Sequence, residues 1–313
     1  MAMRAPTGDQ YDIEFGDLSA TITQVAAGIR TLRYAGVDLT EPFPEESTPP
    51  SADGIALVPW PNRVKDGRWE LDGIVQQLAL TEPQLGNASH GLLRYQPYTL
   101  VARTDSSVTQ AASIYPQAGY PFLLDTTVEH ELDTEGLTVT HTIANRGERP
   151  APVAVGAHPY LRIGDVPAEQ LTLTVTAATR FETDDRLNVI GEAPVAGTRF
   201  DLSAGARVSD LDVNDGFGGL AERPEHVLAA DDGRRVILWS DPAFAYVQVF
   251  THRAFATKAP GEVALAVEPM TAPANALNTG QGLHWIAPGE EWTASWGIRP
   301  EGFAASSYLA SWG

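Results

Sequence analysis

Short runs that alternate apolar and polar residues recur along almost the whole chain, and most are closed by a turn-forming residue. Residues 18–40, LSATITQVAAGIRTLRYAGVDLT, carry β-branched stretches broken at Gly28 and Gly36, which predicts strands joined by tight turns. Asp66-Gly67 and Asp72-Gly73 bracket residues 68–71, and Asp231-Asp232-Gly233 precedes RRVILWS. These are hairpin signals, because Asp and Gly tolerate the positive φ that tight hairpin turns demand. Further alternating runs lie at 137–143, 171–175, 245–250 and 292–298. No long stretch keeps a 3.6-residue apolar period, so helices are expected to be few, short and confined to connections. The pattern predicts an all-β fold built as an antiparallel sandwich, not a parallel α/β sheet. The proline-rich stretch 41–51, EPFPEESTPPS, reads as one long surface loop in which Glu41, Glu45 and Glu46 are solvated.

Two runs depart from simple alternation. In residues 263–280, VALAVEPMTAPANALNTG, the bulky Val263, Leu265 and Val267 alternate with Ala264, Ala266 and Glu268. One face of that strand is therefore small side chains ending in a carboxylate, which leaves room for a ligand, and Pro269 is expected to end the strand. In residues 153–161, VAVGAHPYL, the residues Ala154, Gly156, His158 and Tyr160 share a face, so an imidazole follows two minimal side chains. A Glu and a His facing one cleft can serve as a general base and a general acid without a metal or a covalent step.

Composition narrows the possibilities. The chain has 313 residues, enough for one large core or two domains, and large β-sandwiches often exceed the usual domain size as one unit. It contains no cysteine, which removes disulfides, thiolate nucleophiles and Cys-based metal sites. Lys and Arg number 21 against 40 Asp and Glu, a net charge of −19, and that field opposes nucleic acid and phosphate-rich partners. The opening MAMRAPTGDQ lacks an apolar leader core and no run approaches a membrane span, so a soluble cytoplasmic protein is expected. His141 alternates with Leu137, Val139 and Ile143 and reads as a packed or hydrogen-bonded strand histidine, while His130, His226, His252 and His284 show no spacing that would make a metal site.

Two loops add polar candidates. In PWPNRVKD at 59–66, two prolines stiffen the approach to Asn62 and Arg63. In SHGLLR at 89–94, His90 stands before a glycine. Such rigid loops could supply donors to sugar hydroxyls.

Taken together, PWPNR at 59–63, HGLLR at 90–94, GAHPYL at 156–161, VQVFT at 247–251 and AVEPMTAPANALNTG at 266–280 resemble the aldose 1-epimerases, or galactose mutarotases, in order and spacing. The resemblance implies a single domain over residues 1–313, with a core of about 10–300, folded as a large antiparallel β-supersandwich with a carbohydrate cleft. It implies Glu268 as general base, His158 as general acid, and Asn62, Arg63, His90 and Gln248 as sugar-binding groups. A substrate-binding aspartate is implied within LDVNDGFGGL at 211–220; Asp215 is the choice, with Asn214 and Asp212 as alternatives. Tyr160 would pack its ring on the apolar face of a pyranose. The implied reaction opens the ring of a free aldohexose and closes it on the other face, with a small sugar as partner, no cofactor and a monomer or homodimer as the working unit. The alternatives are a hexose-6-phosphate or unusual-sugar epimerase of the same fold, and a non-catalytic sugar-binding protein.

Overall fold

The computed structural model describes residues 4–304, and the first three residues of the MAMRAPTGDQ segment lie outside them. Two broad antiparallel sheets dominate. The larger has nine strands in the order Thr99–Arg103, Ser107–Ile114, Leu124–Asp133, Gly136–Asn145, Glu291–Glu301, Arg235–Ser240, Glu225–Ala229, Thr172–Thr174 and Ala206–Arg207. The second runs Val189–Pro194, Thr179–Thr183, Asn214–Gly218, Tyr246–His252, Ala264–Met270, Gly156–Ala157 and Ala56–Leu57, and Tyr160–Leu161 also pairs with Ala264–Met270. A four-stranded sheet begins the chain, from Gln10–Phe15 to Val37–Asp38. One apolar core spans all three sheets, with Ile13, Val128, Trp296, Phe217 and Val249 among its members.

The turn chemistry acts as the pattern predicts at two of its three Asp-Gly signals; Asp66-Gly67 instead lies in the 3₁₀ segment Lys65–Gly67, between strands Arg63–Val64 and Arg68–Leu71 that pair with other partners. Arg68–Leu71 and Ile74–Gln77 form a hairpin through Asp72 and Gly73, at φ 51° and 77°. Asp231-Asp232-Gly233 joins Glu225–Ala229 to Arg235–Ser240. Among the described residues the α-helix is a single four-residue segment, Ala276–Thr279, and the 3₁₀ segments have three residues each.

Three expectations are corrected. Ala264–Met270 continues through Pro269, which lies opposite Val247, since a ladder tolerates proline wherever it does not call on that N–H. The 153–161 run is no continuous strand: it splits into Ala151–Val153, Gly156–Ala157 and Tyr160–Leu161, each too short for simple alternation to govern. The 41–51 stretch is not solvated throughout, because Glu41 is buried and its two oxygens meet Lys258 Nζ at 2.7 Å and Arg162 Nη1 at 3.0 Å. Burying that carboxylate is tolerable because two cations and their hydrogen bonds replace water.

Candidate active site

The second sheet builds the site through its register. Gly216, Gln248 and Glu268 stand directly opposite one another on three neighbouring strands. His158 lies between the pairs Tyr160↔Ala266 and Gly156↔Met270, which brings it beside Glu268. His158 Nε2 and Glu268 Oε1 are 3.4 Å apart, and both side chains are almost fully buried. The His158 backbone is fixed at both ends, its N–H donating to Ile55 O at 3.1 Å and its carbonyl accepting the Gly54 N–H at 2.9 Å.

The two loops predicted from PWPNR and SHGLLR meet against this row. Val58 O accepts N–H bonds from both Leu92 and Leu93, and an added Cβ on Gly91 would fall 2.1 Å from that same oxygen. Only glycine can follow His90 at this contact, which also holds Gly91 at φ 75°. Gly156 serves a similar end: a Cβ there would meet Pro61 at 2.8 Å, so its absence lets the proline-stiffened loop lie on the sheet. Asn62 and His90 both adopt left-handed backbone, at φ 55° and 64°, and the His90 N–H donates to Asn62 O at 2.9 Å.

An ordered amide chain follows. Asn62 Oδ1 accepts the Arg63 N–H at 2.9 Å, Asn62 Nδ2 donates to Gln248 Oε1 at 3.1 Å, and Gln248 Nε2 donates to Asn214 Oδ1 at 2.8 Å. Arg63 is gripped through two bonds by Glu82, Nε to Oε2 at 2.7 Å and Nη2 to Oε1 at 2.9 Å. This planar fork fixes the guanidinium beside the sheet. His90 meets His158 edge to face at 5.4 Å between ring centroids, and Tyr160 stacks on the other side of His158 at 5.3 Å.

These groups line one cavity of about 390 Å³, within the range of small-molecule sites. Arg63, Asn62, His90, His158, Tyr160, Gln248 and Glu268, seven of the eight residues expected from the sequence, lie in its wall. Asp215 does not. It occupies the neighbouring position of its strand, so its carboxylate points to the other face and pairs with Arg180, while Asn214 takes the place in the wall. Alternation decides between adjacent residues, and here it selects the asparagine. The small-residue track is also not vacant: Ala264 and Ala266 are covered by Tyr160 and Phe255, so the space for a ligand opens beside Glu268 and not along the whole face. Glu82, Arg94, Ser51 and Phe250 also line it and were missed; the first three lie outside the strands, whereas Phe250 follows Gln248 on the same face of an alternating run. His252, set aside in the sequence for want of metal-ligand spacing, also lines the cavity.

Burial sets the charge state of the pair. It pushes the Glu268 carboxyl up to about 8, partly offset by the Arg63 guanidinium. It holds the His158 imidazole down at about 3, with Arg63 adding to the effect. Both directions favour neutral forms, so the pair carries one proton over a wide range around neutrality. The imidazolium–carboxylate form has the same proton count and differs only in which side of a 3.4 Å gap holds it. Such a pair can give one proton and take another without net exchange with solvent.

The aldose 1-epimerase family model matches residues 9–299. The chain belongs to the aldose 1-epimerase family. Membership makes it an isomerase, and the all-β architecture is the family's. It is 30% identical over 292 residues to the uncharacterized protein YihR of Escherichia coli K12, covering 91% of each chain. In fold it is similar to a putative aldose 1-epimerase from E. coli K12, with TM-score 0.81, 21% identity, and coverage of 94% of this chain and 99% of that one. A galactose mutarotase-like protein from Clostridium acetobutylicum aligns with TM-score 0.81 and 16% identity over 93% of this chain and 95% of its own. A GalM/aldose epimerase homologue from C. elegans gives TM-score 0.81 at 18% identity, over 94% and 99%. Among the described residues no helix of this family member is long and apolar enough to cross a membrane.

Proposed function

We propose that the chain interconverts the α and β anomers of free aldohexoses, with Glu268 and His158 as the acid–base pair. The carrying observation is the 3.4 Å approach of His158 Nε2 to Glu268 Oε1 in the wall of a sugar-sized polar cavity. A sugar bound there brings polar groups that replace lost water, and the shared proton moves to His158, leaving Glu268 ionised. Glu268 then takes the proton of the C1 hydroxyl, a C1=O1 double bond forms, and the C1–O5 bond breaks with its electron pair going to O5. His158 delivers its proton to O5. The C1–C2 bond rotates, and the same steps run backward on the other face of the carbonyl. After ring opening the pair is neutral Glu268 and neutral His158, the form that burial itself favours, so the open-chain stage does not strand a charge in the cavity.

Asn62, Gln248 and Asn214 offer an oriented row of amides to substrate hydroxyls, and Arg63 and His90 stand beside it. Because Glu82 already holds Arg63 through two bonds, a phosphoryl group approaching that guanidinium would meet a carboxylate. This supports neutral hexoses over their 6-phosphates. The test is the optical rotation of freshly dissolved pure anomers of several aldoses and of glucose 6-phosphate. Faster decay to an unchanged final rotation, greatest for a neutral hexose, is expected; decay at the buffer rate for every aldose would leave a sugar-binding protein without catalysis.

A further inference from the structure

Ser51 and His252 line the cavity but belong neither to the acid–base pair nor to the amide row. Ser51 sits at φ 50° and ψ 37°, and Ala52 follows at φ 63°, so two consecutive non-glycine residues hold left-handed backbone. Strain of this kind persists only where surrounding structure enforces it, and it concentrates at sites of function. Ser51 Oγ lies 2.8 Å from His252 Nε2. His252 Nδ1 accepts the Ala254 backbone N–H at 3.1 Å.

The second bond fixes the direction of the first. A ring nitrogen that accepts an N–H carries no proton, so neutral His252 is protonated on Nε2 and donates to Ser51 Oγ. Partial burial, which lowers the tendency of His252 to ionise, agrees with that neutral form. His252 therefore cannot remove the serine proton, and the two residues are not a nucleophile with its base. Ser51 keeps its hydroxyl hydrogen for another acceptor; the neighbouring Tyr160 hydroxyl, which itself donates to Ser51 O at 3.5 Å, can take it until a sugar oxygen competes for it. The Tyr160 ring neighbours both His158, at 5.3 Å, and His252, at 6.3 Å, so this hydroxyl stands one aromatic ring away from the acid–base pair.

We propose that Ser51 is a further substrate-binding residue, a hydroxyl donor aimed by His252 at a sugar oxygen away from the anomeric carbon, and that it helps to set which aldose the cavity accepts. The proposal rests on the reading of the cavity as an aldose site. His252 acts as a positioning residue: donating into one lone pair of Ser51 Oγ, it restricts where the serine O–H can point. Because the bond is made equally before and during ring opening, it should affect binding and leave the chemical step alone.

Ser51→Gly is the informative variant, since glycine suits φ 50° and removes the hydroxymethyl group without adding backbone strain. Its KM for the preferred aldose should rise about fivefold to tenfold, the worth of one hydrogen bond, with kcat within about twofold of wild type. In a series of monodeoxy aldoses, the sugar lacking the contacted hydroxyl should show the same KM with both proteins. His252→Leu should give a smaller rise in KM, because Ser51 can then rotate. Calorimetry with 1,5-anhydrohexitols, which have no anomeric hydroxyl to turn over, provides a binding readout independent of catalysis. Retained anhydrohexitol binding that weakens in Ser51→Gly, in a wild type that accelerates no anomerisation, would sink the epimerase reading and keep this one. The proposal is overturned if Ser51→Gly matches wild type on every sugar, if it loses the same factor for every deoxy sugar, if kcat alone falls, or if wild type binds no anhydrohexitol.

Discussion

Histidines shielded from solvent occur inside the nine-stranded sheet and around the cavity, and only some of them face a ligand space. His130, His141 and His226 lie inside the nine-stranded sheet, while His90 and His158 lie in the cavity wall. Burial depresses the basicity of all five, to about 3 for His130 and about 4 for His141 and His226. A perturbed imidazole therefore does not identify a catalytic group here. What separates the two sets is the partner. His141 Nε2 accepts the Trp296 indole N–H at 3.3 Å, a bond that completes a packed core. Among the described residues, His158 alone has a carboxylate at ion-pairing distance, and it has it beside open space.

The largest effect should break this comparison open. Glu268→Gln keeps size and hydrogen-bonding capacity but cannot take the C1 proton, so turnover should fall roughly 10² fold or more while sugar binding persists. His158→Asn should behave alike. His141→Leu should instead lower stability by about 1 to 3 kcal/mol, through the stranded Trp296 N–H, and leave kcat near wild type. Polarimetry beside calorimetry and denaturant melts separates the two outcomes. Near wild-type turnover in a folded Glu268→Gln would remove Glu268 as the base.

The regular sheet was the easier part to read. Leu124–Asp133 and Gly136–Asn145 are ten residues each and alternate cleanly, so period and turn chemistry define them. Beside the strands that carry Gln248 and Glu268, the segments that bring in His90 and His158 have strands of only two residues, and Asn62, His90, Ser51, Ala52 and Asn275 take positive φ without being glycine. Local preference cannot announce such positions, because tertiary contacts impose them. The Glu268 and His158 faces were legible because minimal residues flank them. Glu82 and His252 were not, since their roles depend on partners about 20 and 200 positions away in sequence, as the Arg63 fork and the Ser51 contact show. Asp215 against Asn214 turned on a single step of alternation in a strand too short to fix its own phase.

An intermediate effect concerns pH. For the five buried histidines the folded value lies below the ordinary 6.5, so the unfolded chain binds more protons in acid. Their contribution to stability is complete above about pH 6.5 and is lost as pH falls toward 4 and 3. Glu268 has the opposite sign: its folded value is raised, so its contribution is complete below about pH 4.5 and is lost as pH rises through about 8. Denaturant midpoints should fall steeply below pH 6, and His141→Leu should flatten that slope. Catalysis should respond on the other side, with kcat/KM declining above about pH 8 as the pair loses its single proton. A rate still rising at pH 9 would show that the shared-proton account is wrong.

The smallest effect sharpens the comparison within one strand. Asn214 and Asp215 are adjacent, yet Asn214 accepts from Gln248 Nε2 at 2.8 Å in the cavity wall, whereas Asp215 faces away and pairs with Arg180, whose guanidinium lies 3.8 Å over the Phe200 ring. Asn214→Ala frees the Gln248 amide to turn, so hydroxyl recognition should weaken by about fivefold in KM with kcat little changed. Asp215→Asn keeps shape but removes the charge opposing Arg180, which should cost stability of order 1 kcal/mol and leave KM within about twofold. Anomerisation kinetics and melting curves on the same two variants provide the contrast. A KM shift in Asp215→Asn larger than that in Asn214→Ala would reverse the assignment and require this strand to present its other face to the sugar.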